Sequence, residues 1–332
     1  MKRIALFLII MISLQSCRED VNESTSSKNI FESLWTILDE KYCFFDAKNV
    51  DWDEIHDKYA AKIDTIPANS ELLFNTLGEM ICELKDGHVN LYAAENVIRY
   101  WKWFEDFDNP NFSEKLEKAY LGTNYKIASG LNYKMLNDSI GYITYRSFSA
   151  SITDAGLDYI LYYFKDCHGI ILDVRENSGG NLSNVEKIAS RFTEKKIIGT
   201  YIRHKIGKGH NDFSDYCPMY ITPSTRNRYT KKVVILTNRK CYSATNTFIS
   251  TMRQLPNVTI MGDNTGGGGG FPISSMLPNG WNVRFSSCST YNSDHELIEN
   301  GIVPDSVVSI TDSDSEKNID TIIEKARSFL KE

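Results

Sequence analysis

Three short apolar runs constrain the fold of this chain more than any other feature: Gly169-Ile170-Ile171-Leu172-Asp173-Val174, Val233 to Leu236, and Val258-Thr259-Ile260-Met261. They are short, apolar and mostly β-branched, so they read as strands buried within a sheet. Helical spacing fills the stretches Ala150 to Lys165, Asn184 to Phe192 and Ala244 to Leu255. Buried strands alternating with helices predict an α/β architecture with a largely parallel sheet. Ser139 to Tyr145 alternates like a further strand, and Pro278-Asn279-Gly280 reads as a hairpin turn between 273–277 and 281–287. A last helix is expected from Ile319 to Leu330. Ahead of this region, Ile30 to Leu91 is helical in pattern: Phe31, Leu34, Trp35, Leu38 and Tyr42 recur at spacings of three and four. Ser70 opens another amphipathic helix carrying Leu73, Leu77, Met80, Ile81 and Leu84. Residues 92 to 130 bring Trp101, Trp103, Phe104 and Phe107 close together, which either cover a core edge or line a groove.

The 332 residues are ample for a buried core. A net charge of -6 gives no basic footprint, so nucleic acid is not an expected partner. The first residues stand apart. Lys2 and Arg3 precede an apolar run from Ile4 to Leu14, too short to span a bilayer, which reads as a signal peptide. Leu14-Gln15-Ser16-Cys17 resembles the lipobox of bacterial lipoproteins, in which the cysteine is lipidated; a plain secretory cut near Ser16 is the competing reading. The polar stretch Arg18 to Ser27 then reads as a tether. Arg18 in place of Asp after the cysteine resembles lipoproteins sent to the outer membrane, with the periplasmic or surface face left open. The expected organisation is a signal peptide at 1–16, a flexible tether at 17–29, a helical N-terminal subdomain at 30–92, a connecting segment at 93–138 and a catalytic core at 139–332. The six other cysteines show no metal-ligand spacing, so no metal is expected.

Three segments carry the candidate chemistry. Ser243 follows a buried strand and opens a helix, a place that suits an exposed nucleophile beside free backbone N–H groups and equally suits an N-cap serine. Cys241, two residues earlier, is a weaker nucleophile candidate without a local signature. His88, in Leu84-Lys85-Asp86-Gly87-His88-Val89, is the candidate base, or a surface histidine beside a C-cap glycine. Leu172-Asp173-Val174-Arg175-Glu176-Asn177-Ser178-Gly179-Gly180 brings paired glycines to the carboxyl edge of a strand. There Gly179 or Gly180 could donate to an oxyanion together with Ala244, or simply make a turn. Neither nucleotide-binding glycine pattern is present, and no cofactor is expected.

The order of Asp86-Gly87-His88, Leu172 to Gly180, Tyr242-Ser243-Ala244-Thr245, Gly262-Asp263-Asn264-Thr265-Gly266-Gly267 and Gly301-Ile302-Val303-Pro304-Asp305 resembles one family over roughly residues 30 to 310. That family is the C-terminal processing (tail-specific) and tricorn-type serine peptidases. The resemblance implies a ClpP/crotonase-like α/β core with a helical N-terminal subdomain and Ser243 as nucleophile. Tail-specific members carry a lysine base at the place of Gly268, and the stretch Gly266 to Phe271 has none. The tricorn-like branch uses a histidine where His88 stands, with a serine at the position of Gly87. The family's acidic partner matches Glu299 best, with Glu296 the alternative. Between Val89 and Ser139 there is no room for a PDZ domain. The resemblance therefore implies peptide hydrolysis at the cell envelope, with a peptide or protein substrate and a membrane reached through the anchor at Cys17. Two other readings stay open: a binding protein for peptides or apolar ligands that keeps the fold without turnover, and an esterase or amidase of small substrates.

Overall fold

The computed structural model describes residues 25–94, 96–106 and 111–332; the signal peptide, Cys17 and Phe107 lie outside them. The chain forms two compact units, neither contiguous in sequence. The first holds residues up to Tyr100 with Lys205–Asp212 and Pro272–Ser287; the second holds Trp101–His204, Phe213–Phe271 and Cys288–Glu332. This differs from the expected division at 92/93 and 138/139. Strand pairing between distant segments, which local periodicity does not encode, is the physical reason.

In the first unit, α1 (Ser27–Lys41) starts inside the expected tether because the Ser26 hydroxyl caps it, accepting from Asn29 N at 3.2 Å. Its buried face is Ile30, Phe31, Leu34 and Leu38. Helix α2 (Trp52–Ile63) is capped by Asp51, and α3 (Glu71–Cys82) by Ser70, whose Oγ accepts from Leu73 N at 3.1 Å. Trp35 and Trp52 lock α1 to α2 reciprocally, each indole N–H donating to the other's carbonyl at 3.1 Å. The helical pattern stops earlier than expected. β1 (Asn90–Ala93) and β2 (Asn96–Arg99) pair antiparallel, Leu91 opposite Ile98, and β1 also pairs with strand Asn282–Tyr291, β12 in chain order, Leu91 opposite Val283.

The second unit is built on a seven-stranded sheet in which Ser306–Val307, Val258–Gly262, Val233–Thr237, Ile170–Asp173, Gly141–Thr144, Leu131–Met135 and Lys126–Ala128 lie side by side in that order. After α4 (Glu114–Leu121), the strands β3 (Lys126–Ala128), β4 (Leu131–Met135) and β5 (Gly141–Thr144) run as an antiparallel meander. From β5 the order turns parallel: α5 (Asp154–Tyr163) crosses over to β6 (Ile170–Asp173), and β6 pairs with β9 (Val233–Thr237), Ile171 opposite Val234. Between them come α6 (Leu182–Ala189) and an antiparallel pair, β7 (Ile197–His204) and β8 (Cys217–Ile221). Helix α7 (Ala244–Met252) leads to β10 (Val258–Gly262). β11 (Gly270–Met276) and β12 form the expected hairpin, and β13 (Ser306–Val307) joins β10 in parallel. α8 (Thr321–Lys331) is the expected last helix.

Two hydrophobic layers explain why the central strands carry apolar side chains toward both faces. Ile170, Leu172, Val233 and Ile235 pack on one face with Ile143, Phe148 and Phe248. Ile171, Val234 and Leu236 pack on the other with Ile322, Ile323 and Ala326 of α8. Each such side chain contributes roughly 1.5–3 kcal/mol by leaving water. No described helix is long and apolar enough to cross a membrane.

Candidate active site

The carboxyl ends of β6 and β9 bring the glycine pair and Ser243 to one place. β6 ends on Asp173, fully buried and held by the Arg175 guanidinium at 2.7 Å, with the Tyr142 hydroxyl donating at 3.0 Å. Burial pushes the Asp173 carboxyl up, but Arg146 and Arg175 overcome that and hold it well below the usual carboxylate range. Arg175 also reaches Asp320, the N-cap of α8, at 2.8 Å, so the loop leaving β6 is tied to the far end of the chain. Asn177 comes next. Its Oδ1 accepts from Gly179 N at 3.0 Å and from the Thr245 hydroxyl at 2.8 Å, while its Nδ2 donates to Tyr145 O at 3.0 Å.

That arrangement separates the two glycines. The Gly179 N–H is committed to Asn177, so the expectation that either glycine could serve narrows to Gly180, whose N–H has no acceptor among the described residues. Gly179 matters instead as bare backbone. At its φ of +101° a Cβ would stand 2.7 Å from Tyr242 O and 2.9 Å from both Ala244 N and Ser243 Cβ.

Ser243 occupies the N-cap position of α7, yet its side chain makes no capping bond. The cap reading is therefore set aside. Its backbone sits at φ 58° and ψ -122°, a region that costs a non-glycine residue roughly 1–3 kcal/mol. Hydrogen bonds on both sides fix the turn: Ser243 N donates to Gly267 O at 2.9 Å, Tyr242 N to Asn177 O at 3.2 Å, and Thr247 N to Ser243 O at 3.0 Å. A strained serine between strand and helix is the geometry of a nucleophile elbow. The Ala244 N–H, in the first turn of α7, finds no acceptor among the described residues, as expected of a helix N-terminus.

The glycine run closes the other side. Gly268 N donates to Glu299 O at 3.1 Å, and Gly269 N to the Glu299 carboxylate at 2.7 Å. Glu299 is 5% exposed, whereas Glu296 lies on an exposed loop with Asn292, so of the two candidate acids only Glu299 belongs to this cluster. Cys241 is buried, directs its thiol to Val174 O at 3.1 Å, and is pushed up by burial to about 12. It is no nucleophile in this setting.

His88 belongs to the other unit, and the structure changes its expected surroundings. Helix α3 ends at Cys82, Lys85 rather than Gly87 takes the left-handed conformation, and His88 is 4% exposed instead of lying on the surface. Asp86 supports it: Oδ1 accepts from His88 N at 2.7 Å, and Oδ2 accepts from Tyr42 Oη at 3.1 Å and Ser286 Oγ at 2.9 Å. Burial lowers the His88 imidazole to about 4, with Arg284 and Lys48 adding to the shift and Asp86 opposing it. His88 is thus neutral at pH 7, the form a base requires.

Comparison with known proteins decides the family. The model of Peptidase family S41 matches residues 139–308, just over half of the chain, and that of the tricorn protease C1 domain matches residues 25–82. The chain belongs to peptidase family S41. It is a serine peptidase of mixed α/β fold. A Parabacteroides merdae protein described as a peptidase is 50% identical over 92% of this chain and 96% of that one, with a TM-score of 0.88. Two others share the fold alone. A lipoprotein from Streptococcus agalactiae is 18% identical, with a TM-score of 0.58 over 92% of this chain and 96% of that one. Mature CPAF complexed with lactacystin is 12% identical, with a TM-score of 0.67 over 94% of this chain and 98% of that one. None of the curated proteins matches.

This S41 chain also has a steric reason to lack a lysine in its glycine run. At Gly268, with φ +77°, a Cβ would lie 2.5 Å from the Tyr242 ring. That ring is pinned in turn by Trp103, stacked on it at 4.0 Å between centroids. The sequence reading missed Asn177, Asp86 and Tyr242. The Asn-Ser-Gly-Gly order was a visible signal for the first, since asparagine bonds to backbone two residues on; the stack of Trp103 on Tyr242 joins segments too distant for any spacing rule.

Proposed function

We propose that the chain hydrolyses peptide bonds with Ser243 as nucleophile and His88 as general base. Neutral His88 removes the hydroxyl proton, Ser243 Oγ attacks the carbonyl carbon, and the oxyanion is received by the N–H groups of Gly180 and Ala244. The proton then passes from His88 to the leaving amine, and water repeats the sequence to free the enzyme. Glu299 supplies the carboxylate that orients His88 and balances its charge while it holds the proton. The observation that carries this reading is the strained Ser243 elbow, whose side chain caps nothing and whose neighbouring N–H groups at Gly180 and Ala244 have no acceptor among the described residues.

The lipobox-like Leu14-Gln15-Ser16-Cys17 supports a site of action at the bacterial cell envelope, lipid-anchored through Cys17 and at the outer membrane. A fold neighbour described as a lipoprotein is consistent with it.

Ser243→Ala tests the chemistry. Peptide turnover by the purified variant should fall by roughly four orders of magnitude or more, as it does when one member of a cooperating catalytic set is removed. Full activity in that variant would refute the assignment.

A further inference from the structure

An aromatic segment packs against the loops that bracket Ser243, and the mechanism leaves it unused. Trp103 lies in the short helix Lys102–Glu105, with its indole 24° from parallel to the Tyr242 ring. Its carbonyl accepts from Arg239 Nε at 2.7 Å, and Arg239 Nη1 donates to Thr265 O at 3.1 Å. A Cβ at Gly266 would lie 2.5 Å from the same indole. One side chain therefore touches both the segment 239–242 ahead of Ser243 and the glycine run whose Gly267 carbonyl holds the Ser243 N–H. Phe104 extends this surface, edge-on to Trp103 at 4.7 Å, and Trp101 meets Phe104 at 5.9 Å while staying 44% exposed. Lys240, whose Nζ is 5.6 Å from the Phe104 ring centroid, is paired with Glu176 at 2.7 Å, and the short helix itself carries two exposed charges of opposite sign, Lys102 and Glu105.

An aromatic surface joined through Trp103 and Tyr242 to the turn that carries Ser243, with Lys240 paired and Lys102 and Glu105 of opposite sign, suits an uncharged side chain with a large apolar surface. We infer that Trp101 and Phe104 form a specificity subsite, floored by Trp103, that takes an aromatic or large aliphatic residue within two positions of the bond cleaved at Ser243. This rests on Ser243 being the nucleophile. A merely structural role for the cluster would make its loss affect all substrates alike.

The test compares two peptides, identical except for Phe or Ala near the scissile bond, placed by scanning two positions to each side. The parent should favour the Phe peptide in kcat/KM on the order of ten-fold or more. Trp101→Ala and Phe104→Ala, which spare the Trp103–Tyr242 stack, should each bring that ratio toward one. Fluorophosphonate should still label Ser243 in both variants, and kcat/KM should fall further for the Phe peptide than for the Ala peptide. Labelled Ser243 without apolar preference in the parent, or an equal fall for both peptides in both variants, overturns the subsite alone. Turnover with unlabelled Ser243 overturns the nucleophile reading and the subsite with it.

Discussion

At Ser243 the chain maintains an unfavourable backbone conformation, and hydrogen bonds to Gly267 and Thr247, with Tyr242 bonded to Asn177, help to hold it. The residue type and its place between strand and helix were legible in the sequence; the strain was not, because the bonds that hold the turn come from segments distant in sequence. His88 illustrates the opposite case. Its identity as the candidate base was legible beside the competing reading of a surface histidine; its burial sets that second reading aside, and the chain turns at Lys85 rather than at the glycine beside it. That burial sets the pH dependence. With the imidazole at about 4, the neutral form persists to well below its ordinary 6.5, so the acid limb of kcat/KM should fall toward pH 4. A limb at 6.5 or above, measured on a substrate that does not titrate in this range, would contradict it. Stability follows the same group. The unfolded chain takes up a proton near 6.5 and the folded one near 4, so stability is full above 6.5 and is lost as pH falls between those values, at about 1.4 kcal/mol per unit.

Among the elements, those buried on both faces were the most legible. The apolar runs of β6, β9 and β10 were recognisable because both layers demand apolar side chains, and the hairpin at Pro278 to Gly280 because its turn residues are specific. β1, β2, β7 and β8 were not expected. Their mixed polar and apolar residues carry no clean period, and part of their pairing is with segments far away in sequence, such as Leu91 with Val283. The loop from Asp173 to Gly180 is the element on which the account depends most, and Asn177 is its hinge. Asn177→Ala should leave Gly179 N–H and Thr245 Oγ without their partner, costing about 1–3 kcal/mol of stability by denaturant unfolding. Because Gly180, the proposed oxyanion donor, comes next after Gly179, kcat should drop while KM changes little. A variant with parent stability and parent kcat would remove this loop from the account.

Across the whole molecule, the sequence conveyed the α/β class and the family resemblance, and S41 membership agrees with both. Its two compact units are discontinuous in sequence, because segments 205–212 and 272–287 rejoin the first. Local patterns cannot report such returns. At this scale belongs the anchor. Cells fed labelled fatty acid should incorporate it into the parent protein but not into Cys17→Ala, which should leave the membrane fraction; equal labelling of both would contradict the lipobox reading. The central claim is that Ser243 is an activated nucleophile dependent on His88. Its most direct test is the rate of modification by a fluorophosphonate, with the modified residue located by mass spectrometry, in the parent and in His88→Ala. The account predicts label on Ser243 in the parent and labelling slowed by orders of magnitude without His88; label on another residue, or an unchanged rate in His88→Ala, would contradict it.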